Sequence, residues 1–284
     1  MKLIEAANII NRCPYIFTDE EIESFEFDIS DKIESYGDCY TLEMTWITTW
    51  RSLPQKELIH DVSIRDFRGR TCAMQWIALY NTLPPKELIH KPNLVDCDGK
   101  TCAMLWIEST GTIPPKEFIH DPSLHDYITG FTCAMYWIQH CHSVPPKCLL
   151  HDPHLKDYLG RTCAMHYINH ELGIPPLELI HSPESKDYQG YTCAMHWIVH
   201  NNSLPPIEIL HNPTIKDNYG YTCAMHWIMI HKSLPPNKLL HHPAIKDNTG
   251  IDTCESLWIK HVKTYPPCAI RIHPSHREVI CKQP

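Results

Sequence analysis

Imidazoles and thiols are the groups in this chain with the most chemistry to offer: 21 histidines and 14 cysteines in 284 residues. Two histidine pairs, His166/His170 and His196/His200, have i,i+4 spacing, which puts both rings on one helix face, close enough to share an ion. A zinc ion asks for four ligands, or three and an open position. No acidic residue recurs beside these pairs, and the segment HWIVH lacks the glutamate of the metalloprotease motif. The pairs therefore support a histidine-rich zinc- or copper-binding protein only as an alternative reading. A second set, His60, His90, His120, His151, His181, His211 and His241, recurs at one regular position. That pattern suits a structural hydrogen bond or a favourable helix C-terminus. Cys141 and His142 are adjacent, but neighbours on a helix point about 100° apart, and nothing orients the imidazole. There is no glycine-rich phosphate loop, no G-x-S-x-G and no C-x-x-C. The expectation is a protein that is not an enzyme and needs no cofactor.

The elements that must position these groups are repeats. A threonine opens each unit, at Thr41, Thr71, Thr101, Thr132, Thr162, Thr192, Thr222 and Thr253, so the period is 30 or 31 residues. The best-formed copy runs from Asp187 to Lys216, DYQGYTCAMHWIVHNNSLPPIEILHNPTIK. Thr192 is predicted to cap a helix whose apolar stripe is Ala194, Met195, Trp197 and Ile198. Pro205-Pro206 then predicts the first turn of a short second helix with Ile209 and Leu210 facing inward. The Asn/Pro/Gly-rich stretch His211 to Gly220 returns the chain to the next unit. The 24 prolines, against only 10 glycines, are tolerable because they fall at fixed places at the edges of elements. One such helix pair cannot bury its own tryptophan, so copies must stack. The core column is expected at Trp76, Trp106, Trp137, Trp197, Trp227 and Trp258, with Trp46 before it and Tyr167 substituting once.

The array resembles the ankyrin repeat family, whose unit opens D-x-x-G-x-T-P-L-H-x-A. Asp187, Gly190 and Thr192 match its Asp, Gly and Thr, and Ile209 and Leu210 fall where its paired leucines stand. Cys193, Ala194, Met195 and Trp197 depart from its Pro, Leu, His and Ala. The family histidine that ties adjacent loops is thus missing. The unit is also about three residues shorter than the usual 33. The resemblance implies an all-α fold, an α-solenoid of stacked short helix pairs with about eight repeats. It also implies about 10 Å between equivalent positions, too far for the cysteine column (Cys72, Cys102, Cys133, Cys163, Cys193, Cys223, Cys254) to form disulfides. Those cysteines read as small buried hydrophobes in a reducing compartment.

The expected domains are an acidic, partly helical N-terminal cap over 1–35, the ankyrin-like array over 36–273 and a C-terminal tail over 274–284. A formal charge of -8 argues against nucleic acid as partner. No run of 18 apolar residues is present, so no membrane span is expected. The N-terminus lacks a signal-peptide pattern, which makes the cytoplasm the expected location; the nucleus, or delivery of an effector into a host, would leave the same sequence signs. The expected function is a protein-protein interaction scaffold, with another protein as partner and self-association by its oppositely charged ends as a further option. If the first helices line the inner curve, as the resemblance implies, positions four and seven residues after each threonine face the partner. Tyr136, His166, His196, His226 and Met229 are the candidate partner-binding residues on that reading.

Overall fold

A computed structural model describes residues 33–35, 38–56, 59, 61–180, 182–201 and 203–272. His60 and His181, the expected helix at the N-terminus and the tail over 274–284 lie outside the described residues. A short antiparallel hairpin, β1 (Ile33–Ser35) and β2 (Asp38–Tyr40), crosses the expected cap–array boundary. Eight helices follow among the described residues: α1 (Leu42–Trp50), α2 (Cys72–Tyr80), α3 (Cys102–Thr110), α4 (Cys133–Cys141), α5 (Cys163–Asn169), α6 (Cys193–His200), α7 (Cys223–His231) and α8 (Cys254–His261). The chain divides into two compact units, one holding α1–α4 with residues 145–151, the other holding residues 142–144 and α5–α8. Within the first, α1 packs on α2, α2 on α3 and α3 on α4; within the second, α5, α6, α7 and α8 pack in the same successive way. The fold is an all-α solenoid of short paired elements, four repeats to a unit.

Each helix starts where a threonine can satisfy an orphan donor. The Thr71, Thr101, Thr192 and Thr222 hydroxyls accept from the N–H three residues on, at 3.3–3.4 Å. The second element is shorter than the sequence suggests. Instead of an α-helix it is a single 3-10 turn, as in Lys86–Leu88, Leu177–Leu179 or Ile207–Ile209. The second proline supplies the carbonyl that closes the turn, for example Pro206 to Ile209 N at 3.2 Å. One residue then separates the turn from His-x-Pro, whose proline opens the next tight bend, which leaves no room for a second turn of helix. One inward residue per turn does the packing: Leu88, Phe118, Leu149, Leu179, Ile209, Leu239 and Ile270 are all buried.

The innermost layer is not tryptophan. Alanine, methionine and isoleucine of the helices, such as Ala194, Met195 and Ile198, are wholly buried. Trp137, Trp197, Trp227 and Trp258 lie buried at the edge of that layer, and Trp76 and Trp106 are half-buried. Each of six indoles donates Nε1–H to a hydroxyl six residues on: Trp46 to Ser52, Trp76 to Thr82, Trp106 to Thr112, Trp197 to Ser203, Trp227 to Ser233 and Trp258 to Thr264, at 2.9–3.1 Å. Repeat five, which has Tyr167 instead of tryptophan, has Gly173 at the hydroxyl position. An indole N–H needs a partner when it leaves water; a repeat without the indole does not need the hydroxyl.

Successive connectors are joined main chain to main chain. In the first unit Cys97 N donates to Arg68 O at 2.8 Å; in the second Tyr188 N donates to Leu159 O and Asn218 N to Gln189 O, at 2.9 and 3.0 Å. Glycine is required beside these bonds. Gly160 and Gly190 have φ of +76° and +84°, and a Cβ there would stand 2.7 Å from Tyr188 N and 2.5 Å from Asn218 N. The extra residue of repeats four and eight is absorbed within this loop, where the Asp126 carboxylate accepts from Ile128, Thr129 and Phe131 N–H groups in place of the usual two.

Candidate interaction surface

Two polar ladders occupy the histidines. In the first, His90, His120, His211 and His241 each present Nδ1 to the carbonyl of the following residue, at 2.6–2.9 Å. A carbonyl only accepts, so Nδ1 carries the proton and Nε2 is an acceptor. Nε2 takes the hydroxyl proton of the capping threonine of the same repeat: Thr71, Thr101, Thr192 and Thr222, at 2.6–2.8 Å. Over the same nitrogen, at 3.4–3.6 Å, lies the thiol of the next repeat: Cys102, Cys133, Cys223 and Cys254. Thr132 and His151 form the same pair at 2.7 Å. This ladder fills the tie between repeats that the missing family histidine leaves open. Burial lowers the pKa of all four imidazoles against the opposing effect of the carbonyl bond. Burial also pushes the Cys102, Cys133, Cys193, Cys223 and Cys254 thiols up to about 12, so they are inert packing groups. Cys72, Cys97, Cys102, Cys133, Cys141, Cys148, Cys163, Cys193, Cys223, Cys254 and Cys268 form no disulfide.

The second ladder corrects the expected partner face. His166, His196 and His226 are buried, 3–6% exposed, and so is Tyr136 at 5%. The helix turns the position four residues after the threonine back toward its own loop, where a buried aspartate waits. Asp157, Asp187 and Asp217 meet His166, His196 and His226 through Oδ2 and Nε2 at 2.9–3.0 Å. The other carboxylate oxygen accepts two loop N–H groups, for Asp187 those of Gln189 and Tyr191 at 2.9 and 2.8 Å. In repeat two Gln75 takes the histidine's role, its amide 2.5 Å from Asp66. Repeat three offers only Leu105 there, and the aspartate's electrostatics follow. Burial raises the Asp96 pKa above its usual value and its loop N–H bonds do not overcome that. For Asp157 and Asp187 burial acts in the same direction, but the imidazole and loop N–H groups outweigh it and hold the carboxyl below its ordinary range.

The metal alternative, carried by His166, His170, His196 and His200, finds no support in this geometry. The His166/His170 pair needs a helix running through both residues, and α5 ends at Asn169. His170 is the cap that follows it, and Glu171 beyond has a φ of +56°, so the chain leaves the helix there. The His170 ring lies against His142, with centroids 5.3 Å apart, while His166 is held by Asp157. In the other pair His196 is held by Asp187, and the His196 and His200 rings stack with centroids 6.4 Å apart. No group of three or more His, Cys, Asp or Glu side chains placed to hold a metal occurs among the described residues. No helix among them is long and apolar enough to cross a membrane.

Apolar side chains are exposed along the loop edge and also before and within the 3-10 turns, as at Ile174, Leu177 and Ile207. Of the expected residues, only Met229 keeps substantial access, being half-buried. Sequence reasoning passed over the loop tips, where Phe67 and Tyr127 in the first unit and Tyr158, Leu159, Tyr188 and Tyr219 in the second stand in solvent. Tyr188 and Tyr219 are 69% and 64% exposed. The available signal was the residue after each repeat's buried aspartate: Phe67, Tyr127, Tyr158 and Tyr188, with Tyr219 one place further on.

No family model and no curated protein matches the chain. Among solved structures, the crystal structure of the ankyrin repeat domain of Bcl-3, a unique member of the IkappaB protein family, is similar at 15% identity and a TM-score of 0.43, over 62% of this chain and 87% of that one. EF0377, an ankyrin repeat protein, is similar at 11% identity and a TM-score of 0.33, over 73% of this chain and all of that one.

Proposed function

We propose that this chain is a non-enzymatic scaffold that binds another protein along its loop edge. The observation that carries this reading is the separation of roles within each repeat. The recurring imidazoles and aspartates of the two ladders are hydrogen-bonded, and the thiols of the cysteine column are buried. Aromatic rings, which dominate interface energetics, stand outside at the loop tips. Repetition also gives each unit the same groups, whereas an active site needs unlike groups converging on a cleft.

The test is capture from the source cell with the intact chain and with Tyr158→Ala, Tyr188→Ala and Tyr219→Ala combined. These side chains are exposed and the substitutions should leave the melting temperature within about 2 °C, because surface changes away from special features are nearly neutral. A bound protein is expected to fall at least about tenfold, the loss of one or two interface anchors. A Met229→Ala arm tests the inner position separately. Undiminished capture by the tyrosine variant would place the partner elsewhere.

A further inference from the structure

The loop edge of the second unit carries a file of lysines beside its tyrosines. In repeat six Asp187 points inward to His196, Tyr188 in the turn that follows is exposed, and Lys186 before it is half-buried. The same position holds Lys156, Lys186, Lys216 and Lys246 in four consecutive repeats; in the first unit it holds Arg65, Val95 and His125, and the file is broken. Three of the four ammonium groups are fixed by the carbonyl of the next lysine along: Lys156 Nζ to Lys186 O at 2.7 Å, Lys186 Nζ to Lys216 O at 2.7 Å and Lys216 Nζ to Lys246 O at 2.6 Å. An ammonium has three N–H donors, so each keeps donors for a ligand while its position is already set. The neighbouring aspartates do not neutralise the file from outside, since Asp157, Asp187 and Asp217 are buried and bonded to histidines and loop N–H groups. Asp152, Glu184 and Asp252 are the acidic groups in the same connectors, opposed by His154 and Arg161.

We propose that this file is a docking edge for an extended acidic segment of a partner protein, with carboxylates three residues apart. The proposal rests on the scaffold reading and specifies its partner. Packed helices sit about 8–10 Å apart, and lysines at equivalent places in stacked repeats are expected to step by about that distance. An extended polyproline-type chain rises about 3.1 Å per residue and repeats its face every three, about 9.3 Å. Carboxylates at i, i+3 and i+6 therefore meet successive ammonium groups without bending either partner. Tyr158, Tyr188 and Tyr219 supply flat apolar faces for the prolines or aliphatic residues between them. Nucleic acid fits less well: the chain is net negative at -8, and duplex phosphates recur about every 3.4 Å along each strand.

Fluorescence anisotropy of the intact chain with labelled peptides of one composition decides it. Glutamates at every third position should bind at least about tenfold tighter than the same glutamates at every second position, with an affinity that falls as salt is raised. Lys156→Gln, Lys186→Gln and Lys216→Gln together should remove that preference and weaken binding by about tenfold or more. The corresponding arginine variants, which keep charge and donors, should retain it even if the glutamine set melts early. Equal affinity for the two peptide registers, indifference to the glutamine variants, or equal binding by a single-stranded oligonucleotide of the same charge would each overturn the proposal. If partner capture is lost with the tyrosine variant while no acidic peptide binds in register, the scaffold stands and the acidic segment falls.

Discussion

Asp187→Ala is expected to destabilise the second unit by about 3–5 kcal/mol, the usual result of removing one partner from a buried, hydrogen-bonded pair. The carboxylate is 1% exposed and bonds three donors: the N–H groups of Gln189 and Tyr191 and the imidazole of His196. Alanine leaves all three without an acceptor, and each unsatisfied buried group costs about 1–3 kcal/mol, not fully additively. Asp187→Asn keeps an oxygen for the two N–H groups and offers an amide to the imidazole, which can change tautomer; its cost should be nearer 1 kcal/mol. His196→Leu copies the arrangement around Leu105 and should also cost less than the alanine change at 187. The double variant Asp187→Ala/His196→Leu should recover part of the loss, because no imidazole is left unpaired. Urea unfolding measures all four. A loss below about 1 kcal/mol for Asp187→Ala would mean that the loop is not held from within.

Mild acid is expected to unravel the array, and the histidine ladder sets the window. The unfolded imidazole titrates near 6.5. Burial lowers the folded pKa of His90, His120, His211 and His241, so below 6.5 the unfolded chain takes up protons that the folded chain refuses. Stability is then complete above pH 6.5 and falls as pH drops through the folded values. Protonation at Nε2 removes the acceptor used by the capping threonine and sets an N–H against its hydroxyl. The four sites act with one sign, so the melting temperature should fall steeply between about pH 7 and 5, well before the carboxylates respond. Asp157 and Asp187, with lowered pKa values, contribute a second loss only below the ordinary carboxylate range near 3.8. A melting temperature flat from pH 7 to 5 would show that the imidazoles accept protons freely in the fold.

Repetition made the helices and the stacking legible. Thr192 is the cap that its place before Cys-Ala-Met predicts, and the cysteine column is buried and forms no disulfide, as the resemblance implies. The length of the second element is hidden, because Pro-Pro announces the start of a helix but not its end, and His-x-Pro, beginning five residues after the second proline, allows only one turn. The early end of α5, which takes His170 off the helix face of His166, was hidden in the same way. The burial of Tyr136, His166, His196 and His226 is hidden for a related reason. His196 looked available because histidine is polar, and its partner Asp187 lies nine residues back across a turn whose geometry no periodicity displays. The pairing was nonetheless written in the copies: the repeats with histidine four places after the threonine keep an aspartate five places before it. The exposed tyrosines were passed over because aromatic residues are ordinarily assigned to cores.

Amide hydrogen exchange at Tyr188, Asn218 and Asn248 tests most directly whether each repeat is closed by the next. Their N–H groups donate to Leu159, Gln189 and Tyr219 carbonyls at 2.9–3.1 Å, thirty residues from their own equivalents. These loop amides are expected to exchange as slowly as those inside α6 and α7, through unfolding of the whole unit. Exchange at the rate of an open loop, with the helices still protected, would contradict a stack knitted through its connectors.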